Sequence, residues 1–161
     1  MTERPETLRS DRLRLDDFLP YRLSYTSNLL STAIADTYQA MFGLKIPEWR
    51  LMALVAEAPM TQLQVGARSG MDKVTVSRAA AALVGRGLLA RARNDEDRRS
   101  HHLKLTPDGE ALYARIVPKA LDLEKRVLAG FDAAEQAQLD DLLARLAESA
   151  ARVMLRVESE T

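Results

Sequence analysis

Residues Asp72 to Thr106 read DKVTVSRAAAALVGRGLLARARNDEDRRSHHLKLT, and the order of features in this stretch decides the fold. An alanine-rich helical run comes first, with Lys73 and Arg78 near its start. Two short alternating runs follow, separated by the six-residue tip NDEDRR. At about 100° per residue, Ala79, Ala80, Leu83 and Gly87 fall within about 60° of Val76 and form a face that packs on a core. The opposite face carries Val74, Arg78, Ala81 and Gly85, two of which have almost no side chain. Lys73, Thr75 and Ser77 flank it. A helix this slim, with polar and cationic groups at its N-terminal end, suits a major groove, where those groups reach base edges and phosphates. An ordinary solvated helix surface is the plainer reading of the same residues.

The alternating runs predict a hairpin. In LLARARN, Leu88, Ala90 and Ala92 share one face, with Leu89, Arg91 and Arg93 on the other; in SHHLKLT, His101, Leu103 and Leu105 oppose Ser100, His102 and Lys104. This reading places His101 at the base of the hairpin and exposes His102. Arg98 and Arg99 at the tip suit a narrow A·T minor groove, where negative potential is concentrated. Asp95 or Asp97 can hold one of them by an ion pair.

Upstream, TQLQ (Thr61 to Gln64) has the form of a capping box, which starts a helix at about Gln62. It ends at RSGMD, where Gly70 permits a tight turn and Asp72 caps the next helix. Two short helices joined by a glycine turn are a helix-turn-helix, and a hairpin after one is a wing. Candidate DNA contacts are therefore Thr61, Gln62, Lys73, Val74, Thr75, Ser77, Arg78, Arg98 and Arg99. Gly66 inside the third helix costs about 1 kcal/mol relative to alanine, which implies close approach of the next helix.

Charge agrees with this reading once it is resolved along the chain. Lys+Arg and Asp+Glu are equal at 23 each, yet Arg68 to Lys104 holds nine basic residues and four acidic ones. The flanking segments are acidic. At 161 residues and 47% apolar content, the chain can bury a core as one ordinary domain or two interlocked lobes. It has no cysteine, which excludes disulfides and thiolate metal sites within the chain. No apolar run approaches bilayer length, and the charged start MTERPETLRSDRLRLDD is no signal-peptide core, so a soluble cytoplasmic protein without a membrane partner is expected. Arg4, Arg9, Arg12 and Arg14 read either as a DNA-contacting arm or as a solvated tail.

Helices are predicted on both sides. Leu19, Leu23, Leu30, Ile34, Tyr38 and Met41 recur at helical spacing from about Asp16 to Phe42, closed by Gly43. KIPEWRLMALVAEAP opens a second helix at Pro47, with Trp49, Leu51, Leu54 and Val55 as its buried candidates. After a Thr106-Pro107 helix start, Leu112, Ile116, Ala120, Leu123 and Val127 make one stripe, in a helix that Pro118 should kink. Asp132 and Glu135 form another capping box, followed by Leu139, Leu142, Leu143, Leu146, Ala150, Val153 and Val157. These faces exceed what so small a central lobe can cover.

The run MDKVTVSRAAAALVGRGLLARARNDEDRRSHHLKLTPDGEALY resembles the core of the MarR (multiple antibiotic resistance regulator) family: a TVSR helix start, a GLL-R strand, a D-D-R-R wing and an LT-x-x-G exit. LPYRLSYTSNLLSTAIADTYQAMFGLKIPEWR resembles the family's first two helices, so the likeness spans roughly Asp16 to Val153. It departs at Gly66, where alanine is usual, and at LVGRG, where the turn is usually more charged. The resemblance implies a mainly α fold with a small β-wing, a winged helix-turn-helix lobe over 47–106 and dimerisation helices over 16–45 and 107–155. Residues 1–15 and 156–161 are then tails.

The resemblance further implies a homodimer reading a near-palindromic double-stranded operator, more often as a repressor, and releasing DNA when a small aromatic or phenolic effector binds. Aromatic acids or their coenzyme A thioesters are the effector class it suggests. Tyr21, Ser24, Tyr25 and Asn28 on the first helix and Trp49 and Arg50 on the second are the candidate ligand contacts, with Arg50 suited to a carboxylate or phosphate. Plain core or dimer packing is the other reading of these residues.

Enzymatic activity is not expected: there is no cysteine nucleophile, and the only histidines, His101 and His102, are adjacent strand residues that point to opposite faces and do not chelate one ion. No cofactor or metal motif is present. The remaining alternative is a winged helix that binds another protein and no DNA.

Overall fold

The computed structural model describes residues 13–93 and 101–159. A short 3-10 turn, Leu15–Asp17, leads into α1 (Leu19–Phe42). Then come α2 (Ile46–Glu57), β1 (Met60–Thr61), α3 (Gln62–Ser69), α4 (Lys73–Gly85), β2 (Leu89–Arg93), β3 (His101–Leu105), α5 (Pro107–Val127) and α6 (Ala133–Ser159). The chain divides into two compact units, Met1–Ile116 and Val117–Thr161.

The first unit holds the core. Tyr38, Leu44, Leu51, Met52, Val55, Met60, Val65, Val76, Ala79, Ala80, Leu83, Leu88, Leu89, Leu103 and Ile116 are buried. Each large aliphatic among them contributes about 1.5–3 kcal/mol by leaving water. α1 ends at Gly43, whose φ of 62° is the left-handed geometry that lets its N–H reach back to the Gln39 carbonyl. Of the apolar positions predicted on α1, Tyr38 is buried, whereas Leu19, Leu23, Leu30 and Met41 remain exposed in the single chain. On α2, Leu51 and Val55 are buried as expected, together with Met52, while Trp49 and Leu54 are half-buried.

β3 is the middle strand of a three-stranded antiparallel sheet ordered β1-β3-β2. The two-residue β1 is too short to show as an alternation and was not expected. Its register is Met60 opposite Leu103 and Thr61 opposite His102; β2 continues with Ala92 opposite His102 and Arg93 opposite His101. This corrects the histidines. His102 lies between two strands and is half-buried, while His101 lies at the tip end of β3, not at the base, and is exposed.

The LT-x-x-G exit has a steric cause. The Thr106 hydroxyl donates to the Gly87 carbonyl (2.6 Å) and accepts from the Gly109 N–H (3.0 Å), capping α5, while the Thr106 N–H donates to the Leu88 carbonyl (3.1 Å). That Leu88 carbonyl fills the space a side chain at Gly109 would need. Gly66 is different. A Cβ there would meet the Met71 carbonyl oxygen at 3.4 Å and Val76 Cγ2 at 3.9 Å, ordinary contact distances. α4 does approach, but it does not require glycine. Gly66→Ala is therefore expected to stabilise the chain by about 0.4–1 kcal/mol through reduced unfolded-state entropy, read as a higher denaturation midpoint at unchanged m-value.

In the second unit, Asp132 caps α6: its carboxylate accepts from the Ala134 and Glu135 N–H groups (2.8 and 2.9 Å), and the Glu135 carboxylate accepts from the Asp132 N–H (2.9 Å). No described residue of this unit is buried, and Leu139, Leu142, Leu143, Val153 and Met154 are exposed along α6. α5 continues through Pro118. No described helix is long and apolar enough to cross a membrane.

Candidate nucleic-acid interface

The interface is built on α4. Asp72 caps the helix: its carboxylate accepts from the Thr75 N–H (2.9 Å) and the Thr75 hydroxyl (2.6 Å). The Thr75 side chain, then the Thr75 backbone, hold the Asp72 carboxyl below the usual carboxylate range. The cap is charged at neutral pH and its contribution is lost only as pH falls through that lowered value.

Val76, Ala79, Ala80 and Leu83 are buried, and this places the opposite face outward as the periodicity predicts. Lys73, Val74, Ser77, Arg78, Ala81 and Gly85 are exposed, Val74 to 56%. A β-branched apolar side chain left in water at the first turn, beside a cation four residues on, is the arrangement that suits thymine methyls and guanine edges. Among the described residues no carboxylate pairs with Lys73 or Arg78. Thr75 is half-buried with its hydroxyl proton directed to Asp72, so it can offer a partner only its oxygen lone pairs.

The N-terminus of α3 supplies the second element. The Thr61 hydroxyl oxygen accepts from the Gln64 N–H (3.2 Å) and the Gln64 side chain accepts from the Thr61 N–H (2.8 Å), the reciprocal box expected from TQLQ. The Thr61 hydroxyl accepts there, so its own proton is left to donate. Gln62 is half-buried at the first helical position, and Leu63 beside it is 84% exposed. The turn between α3 and α4 passes through Gly70 at φ 68°, as the glycine predicts.

Not all the basic excess is available. Arg68 pairs with Glu57 at 2.9 Å, and Arg86 is turned toward the end of α1, so both serve the fold. Lys73, Arg78, Arg91, Arg93 and Lys104 are exposed. Arg91 and Arg93 share one face of β2 and were not singled out as contacts, although strand alternation already put them together. The predicted tip contacts Arg98 and Arg99 lie outside the described residues, as do Arg4, Arg9 and Arg12; Arg14 makes an exposed ion pair with Asp17 at 3.7 Å.

The six candidate ligand contacts fall into two groups. Tyr21 and Tyr25 stack at 6.3 Å on the first turns of α1, beside an open depression of about 420 Å³ lined by Asp16, Tyr21, Arg22, Tyr25 and Thr26. Ser24 and Asn28 are exposed on the same helix. Arg50 instead donates to the Ser31 hydroxyl (3.3 Å), and Trp49 is half-buried between Tyr38 (5.1 Å) and Tyr113 (5.8 Å). Tyr21 is ten residues before Ser31, about 15 Å along the helix axis, so a single chain does not gather all six. Burial pushes the Tyr38 phenol up from its ordinary value.

The sequence model of the MarR family matches residues 42–100, the span that contains this interface. A MarR/EmrR family transcriptional regulator from Acinetobacter sp. ADP1 is similar in structure at TM-score 0.81 and 26% identity, over 87% of this chain and 99% of that one. The PcaV transcriptional regulator from Streptomyces coelicolor, solved in complex with its natural ligand, is similar at TM-score 0.69 and 29% identity over 88% and 99%. Bordetella bronchiseptica BpsR, whose DNA binding is regulated by 6-hydroxynicotinic acid, shares the fold at TM-score 0.73 and 22% identity over 85% and 98%. No curated protein matches the sequence. Residues 42–100 thus match the MarR family pattern, and over most of its length the chain shares the winged helix-turn-helix fold of MarR-family transcriptional regulators.

Proposed function

We propose that this chain is a ligand-responsive repressor that binds a near-palindromic operator as a homodimer. The observation that carries the reading is the open face of α4, where Lys73, Val74, Ser77 and Arg78 stand exposed around a slim surface while the other face is locked in the core. Residues 47–106 form the DNA-reading lobe, with Thr61 and Gln62 on backbone phosphates and Arg98 and Arg99 in the minor groove. Residues 16–45 and 107–155 supply the dimerisation helices. The exposed leucines of α1 and α6 support this assignment, since apolar faces of this extent are rarely left in water. A two-fold dimer presents two recognition helices about 34–36 Å apart, one turn of DNA.

The effector is a small aromatic or phenolic compound, with aromatic acids or their coenzyme A thioesters as the favoured class. PcaV, solved with its natural ligand, and BpsR, whose DNA binding is regulated by 6-hydroxynicotinic acid, support a ligand-responsive mode. Tyr21, Ser24, Tyr25, Asn28, Trp49 and Arg50 are its proposed contacts, the α1 group and the α2 group being completed in the dimer. Such a ligand releases DNA only by binding more tightly to a dimer whose recognition helices are wrongly spaced.

The test is selection of duplexes from a random pool by the purified chain, followed by anisotropy titrations of an enriched duplex and a scrambled one across salt. Enrichment of a two-fold related sequence is expected, with log K falling against log salt at a slope of about −0.9 per phosphate contacted. Recovery of no sequence and no salt-dependent binding would replace this reading with a protein-contact role for α4, which the exposed Leu63 and Val74 would then serve.

A further inference from the structure

We propose that Arg86 is a positioning residue for DNA reading: it grips the end of α1, fixes the pitch of α4, and thereby connects the Trp49 aromatic cluster to the recognition helix. This rests on the DNA-binding reading above and adds a residue that does not belong to the groove-facing surface.

Arg86 follows the last residue of α4, and its guanidinium joins three elements. Nη1 donates to the Gly43 carbonyl (2.9 Å) and Nη2 to the Phe42 carbonyl (3.1 Å), two acceptors at the end of α1 that have no donor within their own helix. Nη1 also lies 3.7 Å from Glu48 Oε2, on the first turn of α2. Glu48 is the buried charged side chain of the core, and the same oxygen accepts from the Lys45 N–H (3.0 Å). A cation at the negative end of α1 beside a buried carboxylate is electrostatically favoured from both sides. Only a planar fork spans two neighbouring carbonyls in this way; a lysine offers one point of attachment.

Phe42, whose carbonyl Arg86 holds, packs its ring on Tyr38 (6.3 Å), which packs on Trp49 (5.1 Å), which stacks on Tyr113 (5.8 Å). Arg115 lies over the same Phe42 ring, 5.7 Å from its centroid. A shift of this cluster moves the Phe42 and Gly43 carbonyls, and the fork transmits the shift to the C-terminal end of α4. With a rigid helix of thirteen residues, tilt at that end displaces Lys73 and Arg78 at the other.

The experiment compares the wild-type chain with R86Q and R86K on a duplex enriched by the wild type and on its scrambled form, at several salt concentrations, while following emission of Trp49, the single tryptophan. R86Q is expected to lower the preference for the enriched duplex by about three- to thirtyfold, the range for residues that couple sites without touching either ligand. Affinity for the scrambled duplex and the salt slope stay unchanged, and the Trp49 emission change on adding duplex is lost. R86K retains the charge without the fork and falls between. A folded R86Q with wild-type preference overturns the proposal, as does a slope smaller by about 0.9, the mark of a phosphate contact. If R86Q fails to fold, wild-type preference in R86K overturns it equally. A wild type that enriches no duplex overturns the DNA reading and this assignment together; an enriched duplex read normally by the variants overturns this assignment alone.

Discussion

Gly109→Ala lowers stability by about 3 kcal/mol or more, the upper range for forcing atoms into a filled space. A Cβ at Gly109 would run into the Leu88 carbonyl oxygen and lie 3.2 Å from Leu105 Cδ2. Backbone, not a flexible side chain, must give way. The Leu88 carbonyl is held by the Thr106 N–H, and the Gly109 N–H is bonded to the Thr106 hydroxyl, so movement at either end breaks the cap that joins the sheet to α5. Thermal unfolding at fixed protein concentration, necessary for any chain that associates, should show the melting temperature reduced by roughly 6–12 °C. A reduction within 1–2 °C would mean that α5 shifts away freely and that the glycine is incidental.

Arg78→Ala has the largest expected effect on DNA. Arg78 is the long cation on the open face of α4, exposed and without a carboxylate partner among the described residues, so its donors are unspent before DNA arrives. Its removal should weaken binding to an enriched duplex by about 1–3 kcal/mol and relax the preference at one base-pair position. Lys73→Ala provides the contrast: loss spread evenly over sequences, with the salt slope reduced by about 1. Gel-shift titration of single-base variants of the duplex distinguishes the two. Unchanged affinity for Arg78→Ala would remove the residue from the interface.

Periodicity made α4 legible, because burial of Val76, Ala79, Ala80 and Leu83 leaves one orientation for everything else on the helix. Caps were legible for the same local reason: Thr61 with Gln64, Asp72 with Thr75 and Asp132 with Glu135 act within three residues. What escaped depends on contacts between distant segments. Nothing near Arg86 announces that Phe42 and Gly43 are its partners, 44 and 43 residues away. The half-buried place of His102 beside β1 depends on a strand of two residues that no alternation can reveal. The candidate ligand residues rest on the resemblance and on their places on the first two helices, and the single chain divides them between the start of α1 and the Trp49 cluster.

Thr61 belongs to two elements at once, with a consequence for how the lobe comes apart. Thr61 is at once the edge partner of His102 in the sheet and the residue whose hydroxyl and N–H close the first turn of α3. Peeling β1 from β3 frees the loop that holds the cap, and fraying α3 loosens the strand. Opening of the β1–β3 edge and opening of α3 are therefore a single cooperative event, not two independent fluctuations, so the amides of the two share one level of protection against solvent.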